Sequence, residues 1–340
     1  MRAMIQLADV EAARRRIASH IRRTPLLDAG PLSGGVAGSR LILKLENLQV
    51  TGSFKVRGAT NKVLMLPPAQ TARGLVTASG GNHGLGVAFA GRLAGAPVTI
   101  YLPANVPPAK AAKLERWGAR VVRAGDVWDD ANEAALAAAR REGAEYVHPF
   151  ADPAVIAGQG TSGLEILADA PQTELAVVAI GGGGLIAGVA VALKGRRPDL
   201  RIVGVEPVGA PTLHESLRAG AVIELPAVTT AANTLAPRRS HETNFEIIRK
   251  IYQRRGDKKG GEVRRKGGLP SRETAKGERD QEASRATGGD GGSSSLESPP
   301  VGPMRTSPAC SLSKDRASAS SPIRYHAEGG ACVSLAPCGD

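Results

Sequence analysis

Lys55 lies in the stretch ENLQVTGSFKVRGA, residues 46–59, behind the apolar Phe54 and just after a Thr-Gly-Ser turn able to open a helix. A primary amine in such a place can attack a carbonyl carbon or, once free, act as a base. Asn82 and His83 follow a Ser-Gly-Gly run, Ser79 to Gly81, directly after the apolar run GLVTAS. Backbone N–H groups there, with the first turn of the next helix, point at whatever sits above the strand end, which suits an anion such as a carboxylate. Gly181, Gly182, Gly183 and Gly184 follow LAVVAI and precede the helix-patterned LIAGVAVALK. Four residues without Cβ let the backbone close around a phosphate at a helix N-terminus. The run is neither GxGxxG nor a P-loop, since no Gly-Lys-Ser/Thr follows.

Each signal alone has a plainer meaning: a solvated helix lysine, a structural histidine, a tight turn after a strand. Together they describe an amine, a carboxylate site and a phosphate site. That combination suits a pyridoxal 5'-phosphate (PLP) enzyme acting on an amino acid, with Lys55 as the Schiff-base lysine.

The elements that must position these turns are legible between residues 41 and about 220. Short β-branched runs alternate there with longer helix-patterned segments, which predicts βαβ units and a doubly wound α/β fold with a largely parallel sheet. The candidate strands are LILKLE (41–46), GLVTAS (74–79), PVTIYLP (97–103), RVVRAG (120–125), EYVHPF (145–150), LAVVAIG (175–181) and RIVGVEP (201–207). Val10, Ile17 and Ile21 recur at helical spacing, which predicts an amphipathic first helix ending before Pro25. Past residue 252 the pattern stops, and Gly, Ser, Pro, Lys and Arg dominate through residue 340. That composition cannot bury enough apolar surface to offset ordering entropy and predicts disorder over 253–340.

Composition excludes several classes of function. The chain of 340 residues carries a net charge of +12, yet only 3% of its residues are aromatic and no nucleic-acid motif stands out, so no nucleic-acid partner is expected. The three cysteines, Cys310, Cys332 and Cys338, all fall near the C-terminus and form neither a disulfide framework nor a CxxC pair. This fits a reducing, cytoplasmic setting. The Arg-rich segment 1–27 contains Asp9 and Glu11 and no unbroken apolar core, unlike a targeting peptide. No apolar run approaches the roughly 18 residues that would span a membrane.

The segments KLENLQVTGSFKVRGATNK, SGGNHG, PAKAAKLERWGA, VHPFADPAVIAGQGT, IGGGGLIAGVA and GVEPVGAP resemble the threonine/serine dehydratase family of fold-type II PLP enzymes, in order and spacing, from about residue 10 to about 250. The resemblance implies that Lys55 carries the cofactor, Phe54 packs near its ring and Asn82 bonds its 3-hydroxyl. Gly181 to Gly184 with Leu185 would hold the phosphate, and Ser79, Gly80, Asn82 and His83 the substrate carboxylate. It further implies a large domain (1–50 and 150–252), a small mobile domain (51–149) and a homodimer or homotetramer. The implied reaction is β-elimination of L-threonine to 2-oxobutanoate and ammonia, or of L-serine to pyruvate and ammonia. Racemases of this scaffold carry a serine two residues before the Asn as a second acid/base; here Gly80 stands there, which favours elimination over racemisation. Members that bind a divalent cation use a Glu, a backbone carbonyl and an Asp; Glu206 and Ala210 match, but Thr212 replaces the Asp, and hard cations favour carboxylates.

Beyond Ile251 the strands and Ala-rich helix of the family do not follow, nor does its hydroxyl or thiol partner for the pyridine nitrogen. The nearest look-alike, ATGGD with Thr287, has no apolar strand before it and is rejected. A loss of coding frame near residue 251 would account for the change, and the chain would then be an inactive member instead of a working lyase. A serine/threonine racemase-like enzyme and a module that binds without turnover also fit the sequence.

Overall fold

Alternating strand and helix patterns become two layered sheets in the computed structural model, which describes residues 4–30, 40–256, 324–326 and 332–336. These residues belong to one compact unit. The expectation of disorder over 253–340 otherwise concerns residues outside those described, as does Thr287.

The chain opens with α1 (Leu7–Ile17), whose Val10, Ala13 and Ile17 are buried; Ile21 lies past its end. β1 (Leu26–Asp28) and β2 (Ile42–Lys44) pair antiparallel, Leu26 opposite Lys44. LILKLE therefore joins no parallel sheet: after Lys44 the chain turns into a 3₁₀ segment, Glu46–Leu48, that aims Glu46 inward.

Next come α2 (Lys55–Leu64), α3 (Pro68–Ala72), β3 (Leu75–Ala78), α4 (Asn82–Ala94), β4 (Val98–Leu102), α5 (Pro108–Glu115), β5 (Arg120–Arg123), α6 (Trp128–Glu142) and β6 (Glu145–Tyr146). Their strands form a parallel sheet in the order β5-β4-β3-β6. All four residues of β3 are buried because helices cover both faces. Leu75 packs with Val87 and Ala88 of α4, while Val76 and Ala78 pack with Ala131 and Ala135 of α6. The expected strand EYVHPF stops at Tyr146. Val147 O accepts from the side chains of Thr77 and His83, and Pro149 has no N–H for a ladder.

The second sheet follows α7 (Pro153–Asp169). It contains β7 (Leu175–Ala179) and β8 (Arg201–Pro207), paired in parallel around the crossover helix α8 (Gly184–Arg196), before α9 (Thr212–Ala219) and α10 (Glu242–Gly256). β9 (Arg324–His326) and β10 (Cys332–Ala336) complete the order β7-β8-β10-β9, with β10 antiparallel to β8. The core of this layer gathers Ala176 and Val178 of β7, Ile186 and Leu193 of α8, and Phe245 and Ile247 of α10.

Helix α7 packs between α2 and α8 at backbone contact. A Cβ on Gly158 would lie 2.6 Å from Arg57 O, and one on Gly160 would lie 2.7 Å from Gly188 O. Two residues apart on a helix face nearly opposite ways, so one Gly-Gln-Gly run admits a neighbouring helix on each side.

Candidate active site

The turns after β3, β6 and β7 all leave from C-terminal strand ends, the edge where parallel α/β sheets bind ligands. Asp152 caps α7 by accepting from Ala154 N at 2.7 Å and so fixes the turn after β6, Val147 to Asp152. That turn is the hub through which the candidate residues meet.

Lys55 is the first residue of α2 and donates from Nζ to Pro149 O at 2.8 Å. The same nitrogen stands 5.3 Å from the centre of the Phe54 ring. Among the described residues no carboxylate partners it, and burial pushes its pKa down to about 8. His83 is 3% exposed and donates from Nε2 to Val147 O at 2.9 Å, which leaves its Nδ1 lone pair buried and unpartnered. Burial, with the Lys55 charge adding to it, holds His83 down at about 3.

The Gly181–Gly184 turn reaches the hub from the other side. Gly183 has φ +88°, the left-handed region, and caps α8, so the first N–H groups of that helix are free to face an anion. A Cβ on Gly182 would sit 2.4 Å from the Phe150 ring, and one on Gly184 2.7 Å from Phe150 O. Asn244 Nδ2 donates to Gly182 O at 2.6 Å and to Phe150 O at 3.0 Å, while Ser240 Oγ donates to Gly182 O at 3.2 Å. Leu185 is half-buried against the adjoining core.

Lys55, His83 and the glycine turn thus share the 147–150 segment, and Phe54 lies beside the Lys55 amine. Ser79 and Gly80 are half-buried in the turn after β3, and Asn82, the first residue of α4, is exposed. His83 itself faces inward, so from that residue only the backbone is available to a ligand above the strand. The sequence reading missed His148, Ser240 and Asn244. His148 stands inside the segment VHPFADPAVIAGQGT, two residues from the Phe150 that packs on the glycines; Asn244 lies in α10 and gave no signal.

Beneath Lys55 lies a charged network that was also missed. Arg57, fully buried, donates from Nε to Glu46 at 2.7 Å and from Nη1 and Nη2 to the two oxygens of Glu165 at 2.7 and 2.8 Å. Lys44 Nζ reaches Glu165 at 2.6 Å. Two cations face two carboxylates, and the Glu165 carboxyl is held below its usual range by Arg57 and Lys44 against the opposing effect of burial.

Glu206 and Ala210 stand apart from this group. Both Glu206 oxygens accept from the N-terminus of α9, from Leu213 N at 2.7 Å and His214 N at 2.8 Å, while Ala210 N donates to Pro207 O at 2.9 Å. Among the described residues no group of three His, Cys, Asp or Glu side chains could hold a metal ion. Glu206 is a helix cap.

Residues 17–259 match the pyridoxal-phosphate dependent enzyme family. The chain belongs to that family. A PLP-dependent enzyme needs a lysine able to be neutral and a recess for a phosphate. Lys55, and a glycine turn in which any Cβ at Gly182 would strike Phe150, fit those needs. L-threonine ammonia-lyase of Thermotoga maritima is 44% identical over 247 residues, 73% of this chain and 61% of that protein. A Geobacter sulfurreducens protein of the same name is 42% identical and is likewise matched over 61% of its length. The chain therefore spans about three-fifths of these relatives. Among solved structures, maize serine racemase superposes with a TM-score of 0.71 at 33% identity, covering 73% of this chain and 75% of that one. Tomato (Solanum lycopersicum) threonine deaminase isoform 2 gives 0.70 at 36%, covering 72% and 66%. No helix among the described residues is long and apolar enough to cross a membrane.

Proposed function

We propose that this PLP-dependent enzyme is an ammonia-lyase that converts L-threonine to 2-oxobutanoate and ammonia, L-serine to pyruvate and ammonia, or both. The observation that carries the reading is the Lys55 amine, buried without an acidic partner and bonded to Pro149 O beside the glycine turn. PLP, when bound through Lys55, makes an amino acid's Cα–H acidic by withdrawing its electron pair.

The residues of the chain do the rest. Gly181 to Gly184 and Leu185 hold the phosphate with backbone N–H groups. Asn82 bonds the 3-hydroxyl. Ser79, Gly80, Asn82 and the His83 backbone hold the substrate carboxylate at the N-terminus of α4, which favours a negative charge. Lys55, neutral above a pH of about 8 and partly so below it, takes the Cα proton. The β-hydroxyl leaves with a proton as water, and water then replaces nitrogen to give the 2-oxo acid and ammonia. The small domain (51–149) closes on the large one (1–50 and 150–252) around the substrate, in a cytoplasmic homodimer or homotetramer.

Purified protein supplied with PLP and L-threonine should develop the Schiff-base absorbance and release 2-oxobutanoate, and Lys55→Ala should lose both. Absorbance without 2-oxo acid would reject the lyase reading. The similarity to serine racemase supports a second reading, which appearance of D-serine from L-serine would establish; Gly80 in place of the racemase serine argues against it.

A further inference from the structure

We propose that His148 and His241 form a pair of Nε2–H donors to the phosphoryl group at the Gly181–Gly184 turn, an inference that rests on reading that turn as a phosphate cup. In each imidazole the backbone settles which nitrogen carries the proton. His148 Nδ1 accepts from Ala151 N at 2.9 Å and Phe150 N at 3.2 Å, and His241 Nδ1 accepts from Thr243 N at 3.2 Å. A nitrogen that accepts from an amide has its lone pair engaged, so the proton of the neutral ring sits on Nε2. Neither Nε2 has a protein partner among the described residues, and both side chains are half-buried, open to a ligand. The ring centres lie 5.9 Å apart at 61°.

Both imidazoles are tied to the glycine turn through their neighbours. The Phe150 ring, 4.7 Å from His148, is the one a Gly182 Cβ would strike. Ser240, next to His241, donates to Gly182 O. The pair comes from two elements, the turn after β6 and the residue that precedes α10. The charged and titratable groups facing His148 are Lys55, His241, His83 and Asp152, and Glu242 faces His241. Burial first, then the His241 and Lys55 charges, hold His148 down near 4, so at neutral pH it meets an anion as a neutral donor.

Comparing PLP with pyridoxal, which reaches Lys55 but carries no phosphate, isolates the phosphoryl contribution as a ratio of dissociation constants. His148→Asn and His241→Asn keep an acceptor near the Nδ1 position and remove the Nε2 donor. Each should lower the wild-type ratio by about tenfold, as for loss of one hydrogen bond to a charged group. His148→Gln, which returns a donor near Nε2, should recover part of it. A wild-type ratio well above one that both Asn variants retain would overturn the pair and leave the cup intact. A wild-type ratio near one would overturn the cup and the pair together. Should the variants fail to fold, NMR of the unaltered protein decides: inorganic phosphate should move the Cε1–H signals of two of its six histidines, and unmoved signals at saturating phosphate would overturn the proposal.

Discussion

Lys55 shows how burial alone prepares a basic side chain for carbonyl chemistry. No neighbouring cation is required, since removal from water lowers its pKa to about 8. In the role proposed for Lys55 the neutral amine would be the form that captures PLP, so capture should speed up with pH to a plateau above about 8, whereas a solvated lysine would show its midpoint near 10.5. Absorbance followed after mixing apoprotein with PLP measures this, and a midpoint near the solvated value would place the amine in water. Glu206 titrates in the opposite sense. Burial, the largest influence, outweighs the two α9 amides and raises its pKa to about 7. A folded-state pKa above the unfolded one gives stability that is complete below about 4.5 and lost as pH rises through 7. Urea midpoints should therefore fall between about pH 5 and pH 8 by the equivalent of roughly 3 kcal/mol, and Glu206→Gln should flatten that slope. At this scale Lys55 and the glycine turn were legible because their types and neighbours are unusual. His148 and Asn244 were not, because a histidine's free nitrogen and a helix asparagine acquire meaning only from backbone atoms far away in sequence.

Helix α7 is the element on which the site geometry depends. It holds α2, which begins at Lys55, on one face and α8, which begins at the glycine cup, on the other. Gly160→Ala would push a methyl group to 2.7 Å from Gly188 O, and two helix backbones cannot both stay in place. The expected cost is about 1–3 kcal/mol of stability, as for other overpacked cores. Because the displaced helix carries the proposed phosphate cup, PLP retention through gel filtration should fall with it; full retention would show that α8 moves without its first turn. The alternating pattern of strands and helices was readable from hydrophobic period, since β3, β4, β5, β7 and β8 all lie inside the runs that the sequence marks. LILKLE and EYVHPF misled for different reasons. The LILKLE backbone pairs with β1 before Glu46 turns its side chain inward to Arg57, and Val147 O is occupied by Thr77 and His83. Periodicity does not register such long-range bonds.

Among the described residues of the molecule, the two largest hydrophobic cores lie on either side of α7, one with the sheet of β3 to β6 and one with β7 and β8. Val155 packs in the first and its neighbour Ile156 in the second. The Arg57 network joins the segment 44–46, α2 and α7 at this seam, with Lys44, Glu46, Arg57 and Glu165 balancing in charge. Such a cluster need not add much stability when whole, since desolvation offsets its attraction. Removing one member is different, because the half-buried Glu46 would lose its cation and keep only the Thr24 hydroxyl, and the buried Glu165 would keep only Lys44. Arg57→Met should cost about 3–5 kcal/mol, and Arg57→Lys less, since it keeps the charge and loses the fork. The cost falls where α2 meets α7, so the cores should also uncouple. Denaturant unfolding that is a single transition in the wild type should broaden or split in Arg57→Met, with fluorescence of Trp117 and Trp128, both on the β3–β6 side, departing from far-UV circular dichroism. A midpoint and slope unchanged from wild type would mean that the glycine contacts of α7 alone hold the two cores together.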